Sequence, residues 1–226
     1  TIPAALIKRS EQRMRNAIAA IAPGVYRYED YLDYNDATGQ PVLLTAAVTV
    51  EGDTLRVDFA GSSPQVLTPI NASLAVTTMG TFVALKALLD PRAPINHGAF
   101  IPVTVSAPPG SIVNVRPPGA VGGFTEIRRR VESVIMGALA QAVPKYVAGD
   151  IKGTSNHTYI GSFNASRGVA TIFYEYPAGG TGGFLEHDGG DAMRAYDEGD
   201  VSSIQPAEAV ELEHALLIES CSLRPD

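Results

Sequence analysis

Two apolar-rich runs, Pro41–Val50 and Thr54–Phe59, are separated only by Glu51-Gly52-Asp53. That spacing is a hairpin signature, because Gly and Asp tolerate the positive φ of a tight turn while Leu55, Val57 and Phe59 alternate as a half-buried strand does. The sheet is read as beginning here. Ahead of it, Leu6, Met14, Ala17, Ile18 and Ile21 recur at helical steps, with Thr1 placed to cap, Pro3 in the first turn and Ala22-Pro23-Gly24 as the stop. A second helix is predicted over 72–89, rich in Ala, Leu, Val and Thr and poor in charge, hence buried over most of its surface, with Asp90-Pro91 ending it. A third spans about 125–142, with Ile127, Val131, Val134, Ile135, Ala138 and Leu139 on one side.

Between the second and third helices the chain is dense in Pro and Gly, and the short apolar runs 101–105 and 112–115 read as strands in a loop-rich frame. Short strands return from 146 to 176, with 169–176 alternating so that one or both faces are covered. Helices and strand pairs mix without repeating as βαβ units. The reading is α+β, with a mixed, largely antiparallel sheet and about three main helices, taken as a single segment 1–226 with a possible sub-boundary near 143–147.

Composition narrows the function. A content of 45% hydrophobic and 18% charged residues over 226 positions sustains a core, and a net charge of −7 opposes a nucleic-acid footprint. The one Cys, Cys221, makes no internal disulfide, which fits a reducing cytoplasm. No apolar run reaches the roughly 18 residues of a membrane span and no signal peptide precedes the first helix, so the Asn-x-Ser/Thr triplets at Asn71, Asn156 and Asn164 are read as chance matches.

Five motifs occur in order: Asp58-Phe59-Ala60-Gly61-Ser62-Ser63-Pro64-Gln65 with Pro69-Ile70-Asn71; Pro94-Ile95-Asn96-His97-Gly98-Ala99-Phe100; Ala107-Pro108-Pro109-Gly110-Ser111; Pro118-Gly119-Ala120-Val121; and Gly179-Gly180-Thr181-Gly182-Gly183. In that order and spacing the chain resembles the hydantoinase B family, a similarity running from Gly24-Val25-Tyr26, Asp30 and Leu32-Asp33 to Glu208 and Glu211. Two departures are Phe184 after Gly183 and Gln205 before Pro206-Ala207-Glu208. Family members are longer and match over their middle-to-late portion, so the chain, from Thr1-Ile2-Pro3 to Leu223-Arg224-Pro225-Asp226, reads as a piece of a larger subunit.

The resemblance implies one component of a cytoplasmic, hetero-oligomeric enzyme, akin to hydantoinase/oxoprolinase B-type subunits, acetone and acetophenone carboxylase subunits and caprolactamase. It implies ATP in a larger hydantoinase A-type partner, and a divalent metal held by the upstream part of the subunit, absent here. No cofactor or metal is assigned to this chain alone, and neither nucleic acid nor membrane is an expected partner. The implied chemistry activates a small carbonyl by phosphoryl transfer, leading to opening of a cyclic amide (hydantoin, oxoproline, lactam) or carboxylation of a ketone (acetone, acetophenone). The alternative is a non-catalytic scaffold segment that holds partner subunits in register.

Candidate site residues lie on the first two motifs. Asp58 and His97 are the catalytic candidates, a carboxylate and an imidazole that titrates near neutrality. Ser62, Ser63, Gln65, Asn71 and Asn96 are the substrate-binding candidates, offering donors and acceptors to a small polar molecule. The same residue types also satisfy backbone groups in turns. No Gly-x-Ser-x-Gly elbow marks a hydrolase serine. His187, with Glu186, Asp188 and Asp191, lacks ligand spacing and reads as a solvated acidic loop. The 179–183 glycines lack the Lys-Ser/Thr of a phosphate loop and read as a hinge or a close backbone approach to another chain. Arg128, Arg129 and Arg130, in the first turn of the third helix, read as a solvated face or as cations answered by acidic groups of the parent subunit or across an interface. A single site built from 58–71, 94–100 and 179–190 requires these loops to converge.

Overall fold

Residues 2–33, 38–154, 157–164, 167–191 and 205–222 are described by a computed structural model. The cap expected of Thr1 and the triplet at Asn156 lie outside them. Helix α1 (Ile2–Ala19) turns Met14 and Ile18 into the core, joined by Ile21. The sheet then starts earlier than the sequence suggested, with the whole of β1 (Gly24–Leu32) pairing antiparallel to β2 (Val42–Glu51). The reason is chemical. Strand β1 is an edge whose side chains stay exposed or half-buried, so Tyr, Arg, Glu and Asp stand where an apolar alternation would have announced a strand.

The predicted hairpin forms, with Gly52 at φ +61° and β3 (Thr54–Asp58) antiparallel to β2. Strand β2 alternates strictly, burying Val42, Leu44, Ala46, Val48 and Val50. Helix α2 (Leu74–Leu89) begins two residues later than predicted, because Ser73 is its N-cap and accepts a hydrogen bond from the Val76 N–H. After a short 3-10 turn, His97–Phe100, β4 (Val103–Ser106) pairs parallel to β3, completing the order β1-β2-β3-β4. Helix α3 (Phe124–Ala140) lies against β1 and β2 and carries α2 on its other side, with a Cβ at Gly80 of α2 standing 3.1 Å from Val131 Cγ1. A hairpin of β5 (Thr158–Asn164) and β6 (Val169–Glu175) forms a separate two-stranded sheet, and a short helix, α4 (Ala207–Glu213), follows. The fold is α+β with a mostly antiparallel main sheet.

Several local expectations are corrected. Helix α2 covers Thr77, Thr81, Ala84, Leu85 and Leu88 on one face and Lys86 outside it, whereas Leu74 and Met79 are exposed. Residues 112–115 bury Ile112 and Val113 without forming a strand. Asn114 N–H turns back to the Ser111 carbonyl, and the Ala72 backbone bonds both Ile112 O and Val115 N–H. The strand read at 101–105 is shifted to 103–106, since Ile101 ends the 3-10 turn. Strands β5 and β6 leave Tyr159, Phe163, Ile172 and Tyr174, all on one face, exposed.

The Ser73→Ala variant removes only the α2 cap and is expected to lower stability by about 0.5–1 kcal/mol. Urea unfolding should show a lower midpoint with an unchanged slope.

Candidate functional site

Every amide and hydroxyl singled out from the 58–71 run is spent on the backbone. Ser62 Oγ donates to Thr45 O (3.3 Å) and accepts from Thr45 N–H (3.1 Å), while Ser63 Oγ accepts from Leu43 N–H (2.9 Å), so both extend the edge of β2 in place of a strand. Gln65 clasps the Arg116 peptide from both ends, its Oε1 accepting from the N–H (2.8 Å) and its Nε2 donating to the carbonyl (3.1 Å). Asn71 is fully buried; its Oδ1 accepts from Val66 N–H (2.8 Å), and its Nδ2 faces the carbonyls of Val66, Thr68 and Ala120 at 2.8–3.0 Å. Asp58 Oδ1 accepts from Ser106 Oγ (3.1 Å) and Ala60 N–H (3.2 Å).

The 94–100 loop follows the same pattern with one exception. Asn96 caps the 3-10 turn through Gly98 N–H (2.9 Å) and donates to Ser10 Oγ of α1 (2.7 Å), but His97 keeps its imidazole exposed. The loops are tied to three different supports. Residues 58–71 are bonded to 106–123, and 94–100 to α1. The 180–183 backbone pairs with 149–152 through Gly149 N–H to Gly183 O (2.8 Å) and Lys152 N–H to Gly180 O (3.2 Å). Hydrogen bonds among the described residues therefore do not draw them into one cleft. The close approach of the glycine segment is made within this chain, where a Cβ at Gly182 would meet Asp150 N at 2.6 Å.

The three arginines are not solvated. Arg129 is completely buried and Arg128 and Arg130 nearly so. Their acidic answers come from this chain: Arg128 Nη1 lies 3.2 Å from Glu132 Oε1 one turn on, and Arg130 Nη1 bonds Asp30 of β1 and lies 3.6 Å from Asp150 Oδ2. Arg129 donates to the Tyr176 hydroxyl, with its guanidinium carbon 5.9 Å from that ring. Lys152 Nζ stands over the same ring at 4.6 Å, and the His157 ring stacks on it at 5.0 Å.

Asp30 and Asp150 open onto a cavity of about 430 Å³ between β1, α3 and the 144–150 and 183–185 segments. Its polar end also holds Ser133, whose Oγ donates to Asp150 Oδ1 (3.0 Å), and its walls include Met136, Val147, Phe184 and Leu185. At the surface, Lys145 pairs with Glu186 (3.2 Å), and His187 Nδ1 lies 2.8 Å from the Asp188 carbonyl. Among the described residues no three His, Cys, Asp or Glu side chains gather as a metal donor set.

The family model of Hydantoinase B/oxoprolinase matches residues 2–226. The chain belongs to the hydantoinase B family. Among its relatives, a putative B-type component of a D-/L-hydantoinase from Pseudomonas sp. is 32% identical over 83% of this chain and 33% of its own length. The fold of this hydantoinase B chain is that of two solved structures. An ATP-dependent caprolactamase from Pseudomonas jessenii matches at TM-score 0.89 and 24% identity, over 99% of this chain and 39% of that one. An acetone carboxylase in nucleotide-free form matches at TM-score 0.77 and 23% identity, over 90% of this chain and 29% of that one. The chain spans about a third of the length of the first curated relatives it matches. No helix among its described residues is long and apolar enough to cross a membrane.

For a hydantoinase B chain, the cavity was the feature hardest to see beforehand. Asp30 and Gly183 were both in the motifs, but Asp150 and Ser133 carry no local signature. Asp30 and Asp150 come together only because β1 and the 149–152 segment both lie against α3. The one available signal was electrostatic, three consecutive arginines that the sequence put in a first helical turn; they stand a turn further into α3, where Arg130 takes its carboxylates from β1 and the 149–152 segment.

Proposed function

We propose that this chain is the substrate-handling segment of a hydantoinase B-type subunit in a cytoplasmic, multi-subunit, ATP-dependent enzyme. The enzyme activates a small carbonyl compound by phosphorylation, either to hydrolyse a cyclic amide such as a hydantoin, oxoproline or lactam, or to carboxylate a ketone such as acetone or acetophenone. ATP is bound by a larger hydantoinase A-type partner. A divalent metal is proposed for the remainder of the subunit, as the family resemblance implies. The observation that carries the reading is the family match along the chain, supported by a shared fold with an ATP-dependent caprolactamase and an acetone carboxylase.

Within this reading, His97 is proposed as the acid or base, because its ring is exposed and reachable by a reacting group. Asp58, with Oδ1 already accepting two hydrogen bonds, is proposed to hold its loop and present Oδ2. Ser62, Ser63, Gln65, Asn71 and Asn96 are proposed to act on substrate through the loops they brace. That bracing also favours the second reading, a scaffold segment that fixes its partners in register.

Co-expression with an ATP-binding partner and the rest of the subunit tests both. The expected result is a stable complex that consumes ATP in the presence of a cyclic amide or ketone, while the isolated chain consumes none. Alanine at His97 should abolish turnover with assembly intact. Assembly lost on substitution at Asp58, Gln65 and Asn96, with His97→Ala fully active, would favour the scaffold. ATP hydrolysis by the isolated chain, or a compact monomer that binds no partner, would overturn the proposal.

A further inference from the structure

A second cavity, of about 550 Å³, lies between α1 and the loop after α2. Three guanidiniums line it and no carboxylate does. Arg9 and Arg13 stand four residues apart on one face of α1, and Arg92 comes from the loop. Like charges placed together repel, so in a chain of net charge −7 their gathering calls for an answering anion. Arg13 has part of one: its Nε and Nη2 go to Asp90, leaving Nη1 with no described acceptor. Lys86 takes the same carboxylate, so Asp90 is already shared between two cations. Arg9 and Arg92 are exposed, and no described carboxylate pairs with either. Four cations against one carboxylate leave the site net positive. Ser10 adds a donor. It is only 7% exposed, lines the cavity and accepts from Asn96 Nδ2 (2.7 Å), while its own proton reaches no described acceptor. Leu6, Ala93 and Pro94 supply an apolar wall.

We propose that this cavity is an anion site for a phosphate group, carried by inorganic phosphate or by a small phosphate monoester. Such a group brings roughly two negative charges and three strong acceptor oxygens, which suits three guanidiniums and a hydroxyl. A monocarboxylate brings a single charge and leaves part of the cluster unanswered. The apolar wall accommodates the organic body of an ester, and the volume lies in the range of small-molecule sites. Nucleic acid fits poorly, because the guanidiniums line one cavity of an acidic chain instead of forming a basic stripe. Asn96 acts here by orienting Ser10, since its Oδ1 is held by Gly98 N–H and its Nδ2 by Ser10 Oγ. The site stands apart from the substrate-handling reading and does not depend on it.

The test is titration of the full chain at low ionic strength, followed by arginine side-chain NMR, with the Nε–Hε signals of Arg9, Arg13 and Arg92 assigned by substitution. Inorganic phosphate and propyl phosphate should shift all three signals saturably, the ester at least as tightly, and leave Arg56 of β3 unmoved. Acetate should bind at least about tenfold more weakly. Arg9→Gln and Arg92→Gln should each weaken phosphate by about tenfold with an unchanged urea midpoint, because neither side chain has a described partner to lose. Arg56→Gln should leave the affinity as it is. Absence of saturation by both phosphates overturns the proposal. So does an equal response to acetate, or an equal loss in Arg56→Gln, either of which marks general screening of positive charge. Shifts produced by a Glu-rich peptide but by neither phosphate would make the surface a protein contact and overturn it too. The substrate-handling reading is judged separately, by ATP-dependent turnover in the assembled complex.

Discussion

Replacing Asp90 with Ala is expected to destabilise the protein by about 3 kcal/mol. The carboxylate is buried at the C-terminal cap of α2 and gathers two cations. Arg13 of α1 donates to it through Nε (3.2 Å) and Nη2, and Lys86, itself buried, approaches Oδ2 at 3.2 Å while donating to the Asp90 carbonyl. Removing the carboxylate strands the Lys86 ammonium in a low-dielectric setting, which costs far more than an exposed pair would. It also cuts the clip between α1 and the end of α2. The melting temperature should fall by about 6–12 °C.

The same site sets an acid response. The Arg13 hydrogen bond, foremost, and then Lys86 hold the Asp90 carboxyl below its ordinary value, against the opposing effect of burial. A depressed folded-state value means the stabilisation is present above the unfolded value, about pH 3.9, and is lost as pH falls through the folded one. Wild-type stability should therefore drop below about pH 4 more steeply than that of Asp90→Asn, which lacks this titration. Matching acid profiles for the two proteins would refute the clip.

Replacing Asn71 with Ala should be comparably severe, at about 3 kcal/mol or more, because it orphans the Val66 N–H and leaves three carbonyls without their shared donor in a fully buried position. This variant also separates two roles. Bracing predicts a lowered denaturation midpoint together with release of the segment around Ala120. Direct substrate contact predicts normal stability with turnover lost. The hydrogen bonds on both ends of the amide lead to the first outcome.

The sequence made the secondary structure legible wherever apolar residues recur regularly, even in α3, whose arginine-bearing face is buried as well. Strands β2 and β3 and helices α1 and α3 announce themselves because their apolar residues repeat at the period of the element. Strand β1 does not, since an edge strand buries too little to need apolar alternation, and 112–115 misleads because Ile112 and Val113 are apolar for burial in a turn. The site was less legible for a similar reason. Asp58, Ser62, Ser63, Gln65, Asn71 and Asn96 have the residue types of a polar cleft, and also those of side chains that finish hydrogen bonds a loop backbone leaves open. Their spacing is the same in either case. The cavity at Asp30 and Asp150 is assembled from residues far apart in the chain, and what joins them is the packing of β1 and the 149–152 segment on α3.

The parallel pairing of β3 with β4 has a kinetic consequence. Leu55 and Val103 are neighbours across the ladder, but the loops, α2 and the 3-10 turn all lie between them in the chain. The β1-β2-β3 meander joins strands that follow one another closely in the chain, whereas β4 can add only after this intervening stretch has surrendered its chain entropy. Refolding should accordingly be rate-limited by capture of the last strand, with the three-stranded meander as the early nucleus. Until then the outer edge of β3 is an unpaired ladder open to other chains, so concentrated refolding mixtures should lose material to intermolecular strand pairing at that edge.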